Sequence, residues 1–173
     1  MTKKILLRLL SGLPMVAMFL LAIFYLVPKH VAGLSGVMPM LHLAPVFIWG
    51  VMHPRDMSLL FLVLLGLVID VATALPLGFS ALGLCFFFLL VRSQRKYIYR
   101  EGFAVMWGYF ALLFMVLQLV CWAAYSYYYG QRAPLGSAMI QWVFTVLLYP
   151  LLHYMLYPWV ERIAHARYRL LHA

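Results

Sequence analysis

The chain has 173 residues, 67% of them hydrophobic and 10% charged, with a mean hydropathy of +0.98. This composition excludes an ordinary soluble domain and predicts an all-α, multi-pass membrane protein: one transmembrane domain over residues 1–173, with no soluble catalytic appendage. A net charge of +9 would suit a nucleic-acid surface, but the basic residues lie in short segments between apolar runs, where they set topology and meet anionic headgroups.

Breaks at charged and turn-forming clusters predict a bundle of six transmembrane helices. The first runs from about Leu9 to Val27, after Lys3, Lys4 and Arg8. It is about as long as a full crossing and no small-x-small cleavage pattern follows, so an uncleaved helix is expected rather than a signal peptide. The second, Val37 to Met52, contains Pro39 and Pro45, and is expected to start near Met38 or Pro39 and to kink at Pro45. Trp49 lies toward its inner end. His53-Pro54-Arg55-Asp56 then reads as a tight turn, with Asp56 placed to cap the next helix.

Met57 to Leu75 and Leu77 to Val91 form a predicted hairpin around Leu75-Pro76-Leu77-Gly78, and Asp70 is its only formally charged side chain. The second arm is short and borrows length from the segment beyond Arg92. A carboxylate well inside the first arm costs about 2.5 to 3.5 kcal/mol on insertion scales, so Asp70 is expected to have polar partners. Gly66, Asp70 and Ala74 recur at intervals of four and so share one helix face, whose small residues admit another helix backbone. Depth counted from the outer boundary places His42, Gln118 and Gln141 in the same half as Asp70, which makes them its candidate partners.

Arg92 to Glu101 is the most polar stretch and reads as the main cytoplasmic loop. The fifth span, Phe103 to Tyr129, ends in Trp122, Tyr125, Tyr127, Tyr128 and Tyr129, an interfacial aromatic belt. The sixth, Leu135 to Val160, contains Gln141, Pro150 and His153 and leads into a basic tail from Arg162. Pro150 is expected to bend it. With an even number of spans, one side holds Lys3, Lys4, Arg8, Arg55, Arg92, Arg95, Lys96, Arg100, Arg162, Arg167 and Arg169, and the other only Lys29 and Arg132. Eleven against two places both termini in the cytoplasm.

Chemistry-bearing patterns are absent from the sequence. Aspartyl catalysis needs two carboxylates sharing a site, and Asp70 is alone within the spans. There is no Gly-x-Ser-x-Gly elbow, and no His, Cys or acid spacing that would hold a metal. Cys85 and Cys121 fall inside apolar spans and read as small buried hydrophobes. No catalytic residue, metal or cofactor is therefore expected. A small-molecule binding subunit of a transporter and a scaffold that docks other membrane proteins both fit this composition.

Gly66-Leu67-Val68-Ile69-Asp70, followed by Pro76-Leu77-Gly78 and Ala81, resembles the signature hairpin of the rod shape-determining MreD family. Pro39, Trp49, His53-Pro54-Arg55, the basic segment from Arg92 and Pro150 fall in the matching order, so the resemblance runs from about Pro39 to Arg162. It implies a non-enzymatic inner-membrane scaffold of the bacterial cell-elongation (rod) complex. Such a scaffold binds the single-span protein MreC and helps couple MreB filaments to the glycosyltransferase and transpeptidase that build lateral peptidoglycan. On this reading Gly66, Asp70, Ala74, Pro76, Gly78, Pro54 and Arg55 are structural or partner-binding positions. The family is also similar in fold to the vitamin-binding subunits of energy-coupling factor transporters, which is the alternative. Those subunits usually carry Ala-x-x-x-Ala in the first helix, whereas Ala17 and Ala22 here are each followed four residues later by Leu.

The charge asymmetry makes the topology testable by single-cysteine labelling in a background lacking Cys85 and Cys121. An impermeant reagent applied from outside should modify positions near Lys29 and Arg132 and leave those near Lys96 and Arg167 untouched; labelling beside Lys96 would invert the topology.

Overall fold

A computed structural model describes residues 15–26, 38–55, 57–99, 101–130 and 135–172, with side chains as far as Arg162. The described residues are all-α. They form α1 (Met15–Leu26), α2 (Leu43–Met52), α3 (Leu59–Thr73), α4 (Phe79–Ile98), α5 (Phe103–Tyr129) and α6 (Leu135–His172).

The α2 helix sits at the centre. Every residue from Leu43 to Val51 is buried, so α2 is enclosed on all faces rather than along one stripe, as a run with no polar side chain requires. It packs on α4 and α6, α5 packs on the same two helices, and α3 lies along α4. From α1, Met18 and Ala22 join the shared core. Aromatic rings fill the space around α2. Phe110 stacks on Tyr149 with centroids 4.3 Å apart, while Phe47 meets their rings edge-on at 5.4 and 5.8 Å, the geometries that ring quadrupoles favour.

Several boundaries differ from the sequence expectation, among them the end of α6 at His172 instead of Val160. The α2 helix has ten residues, about 15 Å of rise, because its first turn closes only at Leu43 N→Met40 O and Ala44 N→Leu41 O, both 3.1 Å. Pro45 is then the third helical residue, where no intrahelical N–H is missed, so it causes no kink. The cap of α3 is Ser58, whose hydroxyl accepts from Phe61 N at 3.4 Å; Asp56 lies outside the described residues. The fourth helix does borrow length beyond Arg92, and it does so as far as Ile98, so most of the expected polar loop is helical. Arg95 explains the extension: its Nε donates to Val51 O at 2.6 Å and its Nη2 to Met52 O at 3.2 Å. A cation thereby meets the unpaired carbonyls at the C-terminus of α2. Finally, α3 stops at Thr73, one residue short of Ala74.

Two helices, Phe103–Tyr129 and the Leu135–Arg162 part of α6, are long and apolar enough to cross a membrane. Their outer faces are not covered by the protein: Leu112, Leu119, Met139, Leu147, Leu151 and Met155 are all exposed. Contiguous apolar surface of this kind needs lipid or a protein partner against it.

Helix α6 continues through Pro150 and Pro158. Pro150 has no N–H, so the carbonyl of Val146 loses its partner one turn below. The Trp107 indole on α5 donates to that same carbonyl at 3.0 Å, and Trp142 on α6 donates back to Ala111 O at 3.0 Å. Trp107→Phe should therefore destabilise the bundle by about 1 to 2 kcal/mol. In a Pro150→Ala background, where a backbone N–H is restored, the penalty should fall by about 0.5 kcal/mol or more. Reversible unfolding of the four variants in detergent measures this coupling, and additivity would show that the indole does not serve the proline.

Candidate functional site

The hairpin is held by main-chain and side-chain atoms of one residue. Asp70 lies in the last turn of α3 and is fully buried. Its carbonyl accepts from the N–H groups of Ala74 and Leu75, turning the chain out of the helix. Its carboxylate reaches across the turn, with Oδ2 accepting from Gly78 N at 2.8 Å and Oδ1 from Ser80 N at 2.7 Å. Gly78 is the N-cap of α4, with φ of 96° and no side chain to satisfy the first-turn amides. Asp70 supplies that missing cap from the preceding helix, and a negative charge at a helix N-terminus is also favoured by the dipole. Two charge-assisted hydrogen bonds of about 1.5 to 3 kcal/mol each offset the cost of burying a carboxylate.

Four residues before Asp70 the two arms touch. A Cβ on Gly66 would lie 2.2 Å from Ala81 Cα and 2.4 Å from Ala81 N, so only glycine permits this approach of α3 to α4. Sequence periodicity anticipated a close helix there. Pro76 closes the turn by accepting from Phe79 N at 3.1 Å. Ala74 does not belong to the packed face: it is the C-cap of α3, exposed, in the left-handed region at φ of 53°. Helical spacing fails for it because the helix has already ended. Pro54 and Arg55 form the α2–α3 turn at the other end of α3, and Arg55 is exposed.

The expected partners of Asp70 do something else. Gln118 Nε2 donates to Gln141 Oε1 at 3.0 Å, and Gln141 Nε2 donates to Met38 O at 2.7 Å. Thr145 accepts from Met40 N at 3.1 Å and donates to Gln141 O at 2.7 Å. This cluster holds the non-helical stretch that leads into α2, whose buried amides and carbonyls have no ladder of their own. His42, the N-cap of α2, is 4% exposed, its ring meets Tyr25 edge-on at 5.3 Å, and its Nδ1 has no hydrogen-bond partner. Similar depth did not imply contact, because both carboxylate oxygens of Asp70 accept amides eight and ten residues ahead in the chain.

Sequence reasoning missed Ser80, Arg95, Trp107, Thr145 and Gly50. A Cβ on Gly50 would sit 2.9 Å from Val91 Cγ1, a second close approach, between α2 and α4. A glycine as N-cap, with an acid at fixed distance before it, was a readable sign for Ser80. Nothing local points to the others. His153 is a packing residue, with Tyr149 Oη and its Nδ1 3.2 Å apart and Phe103 against the ring.

Between the α3–α4 turn, α1, the lead into α2, α5 and α6 lies a cavity of about 370 Å³, bordered by His42, Gln118, Gln141 and Cys121 among others. Among the described residues no group of three or more His, Cys, Asp or Glu is placed to hold a metal ion. The chain matches no known family profile, no curated protein and no solved structure.

The clamp sets an order of severity. Asp70→Asn keeps one acceptor and turns an amide N–H₂ against a backbone N–H, so it should lower stability by about 1 to 3 kcal/mol. Asp70→Leu, which leaves both amides unpaired, should lower it further. Ala74→Gly relieves the left-handed alanine and should raise stability by up to about 1 kcal/mol. Unfolding in detergent checks all three; an Asn variant as stable as the parent would mean that the two amides do not need the carboxylate.

Proposed function

We propose that this protein is a non-enzymatic scaffold of the bacterial inner membrane, of the MreD type, working in the cell-elongation complex. The observation that carries the reading is the hairpin. Gly66, Asp70, Pro76, Gly78 and Ala81, the positions on which the resemblance rests, form one mechanical unit, in which Gly66 admits the backbone of Ala81 and Asp70 caps α4. A motif whose every member shapes the backbone suits a protein that works by presenting a rigid surface.

The chain crosses the membrane six times with both termini in the cytoplasm, as the distribution of Lys and Arg favours. The α2 helix is about half the ~30 Å hydrocarbon core, and the second crossing is completed by the non-helical stretch that Gln141 and Thr145 hold. Irregular backbone is compatible with that depth because protein encloses it. Asp70 is unsuited to acid–base chemistry, since both oxygens accept backbone N–H groups. The partner is a single-span protein of the MreC type, and through it the scaffold joins MreB filaments to the glycosyltransferase and transpeptidase of the lateral wall. In lipid such contacts come from close packing rather than from burial of apolar area.

Affinity purification in mild detergent, paired with deletion in a rod-shaped host, tests this. The parent should co-purify with an MreC-like protein, and deletion should make the cells round. Gly66→Leu, which forces α3 and α4 apart, should weaken both partner recovery and rod growth, while the exposed Leu82→Ala on α4 should leave both intact. Loss of vitamin uptake with unchanged cell shape would replace this reading with that of a substrate-binding transporter subunit.

A further inference from the structure

We infer that the outward face of α4 binds one anionic phospholipid, with the phosphate at Arg92, Ser93 and Lys96 and an acyl chain along Leu89 and Phe86. The site rests on the membrane-spanning part of the proposed function and not on the scaffold role. Phe86, Leu89, Ser93 and Lys96 follow one another at steps of three and four, so they share one side of the helix, and all four are exposed. Arg92 is exposed beside them. An apolar strip that ends in a hydroxyl and two cations has the polarity of a lipid laid along the helix, and a negative headgroup complements its charge.

Depth distinguishes this end of α4 from an ordinary interfacial basic cluster. From Phe79 at the start of α4 to Arg92 the rise is about 20 Å, against a hydrocarbon core of about 30 Å. With the α3–α4 turn at one boundary, Arg92 falls about 10 Å short of the other. A cation at that level is costly unless it is paired, and a phosphate drawn in by local thinning of the bilayer supplies the partner. The cations also stand on a fixed frame. Arg95, between them in the chain, donates to Val51 O and Met52 O and has its guanidinium 5.1 Å from the centroid of the Tyr99 ring, so this stretch of α4 is tied to α2. Lys96 Nζ lies 4.7 Å from the centroid of the exposed Tyr97 ring, an amphipathic side chain of the kind that favours headgroup level. Arg92 and Lys96 are one turn apart, where like charges repel. A phosphate between them replaces that repulsion with two attractions.

Native mass spectrometry of the full-length chain in maltoside micelles, titrated with dioleoylphosphatidylglycerol or dioleoylphosphatidylcholine, tests the site. The parent should take up one phosphatidylglycerol before any further adduct, about ten-fold or more tightly than phosphatidylcholine. Arg92→Gln with Lys96→Gln should remove that preference, and Arg92→Lys with Lys96→Arg, which keeps both charges, should retain it. Arg167→Gln with Arg169→Gln takes the same charge from the end of α6 and should leave the preference in place. Glycerol 3-phosphate and an oligoglutamate peptide, each in large excess, should not displace the lipid. Thermal melting first establishes that every variant is folded. The inference is overturned if the two lipids bind alike, if the glutamine pair on α4 binds phosphatidylglycerol as the parent does, or if the α6 pair loses the preference equally. Displacement by glycerol 3-phosphate or by oligoglutamate would also overturn it, assigning the patch to free phosphate or to an acidic protein segment. Release of the chain from cell membranes by alkaline carbonate would instead refute the membrane-spanning reading, and the lipid site with it.

Discussion

Backbone amides and carbonyls that leave a helix inside an apolar bundle cannot turn to water, and this one constraint governs the placement of Asp70, Arg95, Trp107, Gln141 and Thr145. Among the described residues, three of the places where the chain leaves helical geometry are before α2, after α2, and between α3 and α4. It also loses one helical hydrogen bond at Pro150. Each break has its own side chain. Gln141 and Thr145 hold Met38 and Met40, Arg95 holds Val51 and Met52, Asp70 holds Gly78 and Ser80, and Trp107 holds Val146. In every case a side chain on one helix serves the main chain of another element, so the same bonds that satisfy the backbone also set how the helices are arranged.

Packing supplies the rest. The α2 helix has no polar face, and the aromatic cluster of Phe47, Phe87, Phe110 and Tyr149 encloses it with α4, α5 and α6. Where backbones approach most closely, at Gly66 against Ala81 and at Gly50 near Val91, a side chain on the glycine has no room. Such contacts gain dispersion energy that apolar burial in lipid would not provide. Polar clamps and glycine contacts therefore divide the work. The clamps fix register and direction, and the glycines fix distance.

This division bears on function. Asp70 invites a catalytic or ion-handling reading when seen as a lone acid in an apolar run, yet its neighbours in space are two amide N–H groups that use both oxygens. A buried polar atom without a hydrogen bond lies elsewhere, at Nδ1 of His42. The proposed scaffold role draws on the hairpin and on the exposed apolar faces of α5 and α6.

Hydropathy alone determined the all-α class, the hairpin with its turn at Pro76 to Gly78, the limits of α5 and the start of α6, because long apolar runs punctuated by proline, glycine and charge admit few other readings. Periodicity also determined that Gly66 faces a close neighbour. What only the tertiary structure decided was which groups meet. The shortness of α2 depends on side chains of α6 about a hundred positions away, the helical extension of α4 on carbonyls of α2, and the pairing of Gln118 with Gln141 on the rotation of α5 against α6. Spacing reports depth and face along one helix. It does not report rotation about the helix axis relative to a neighbour, and hydrogen bonds are made or lost by that angle.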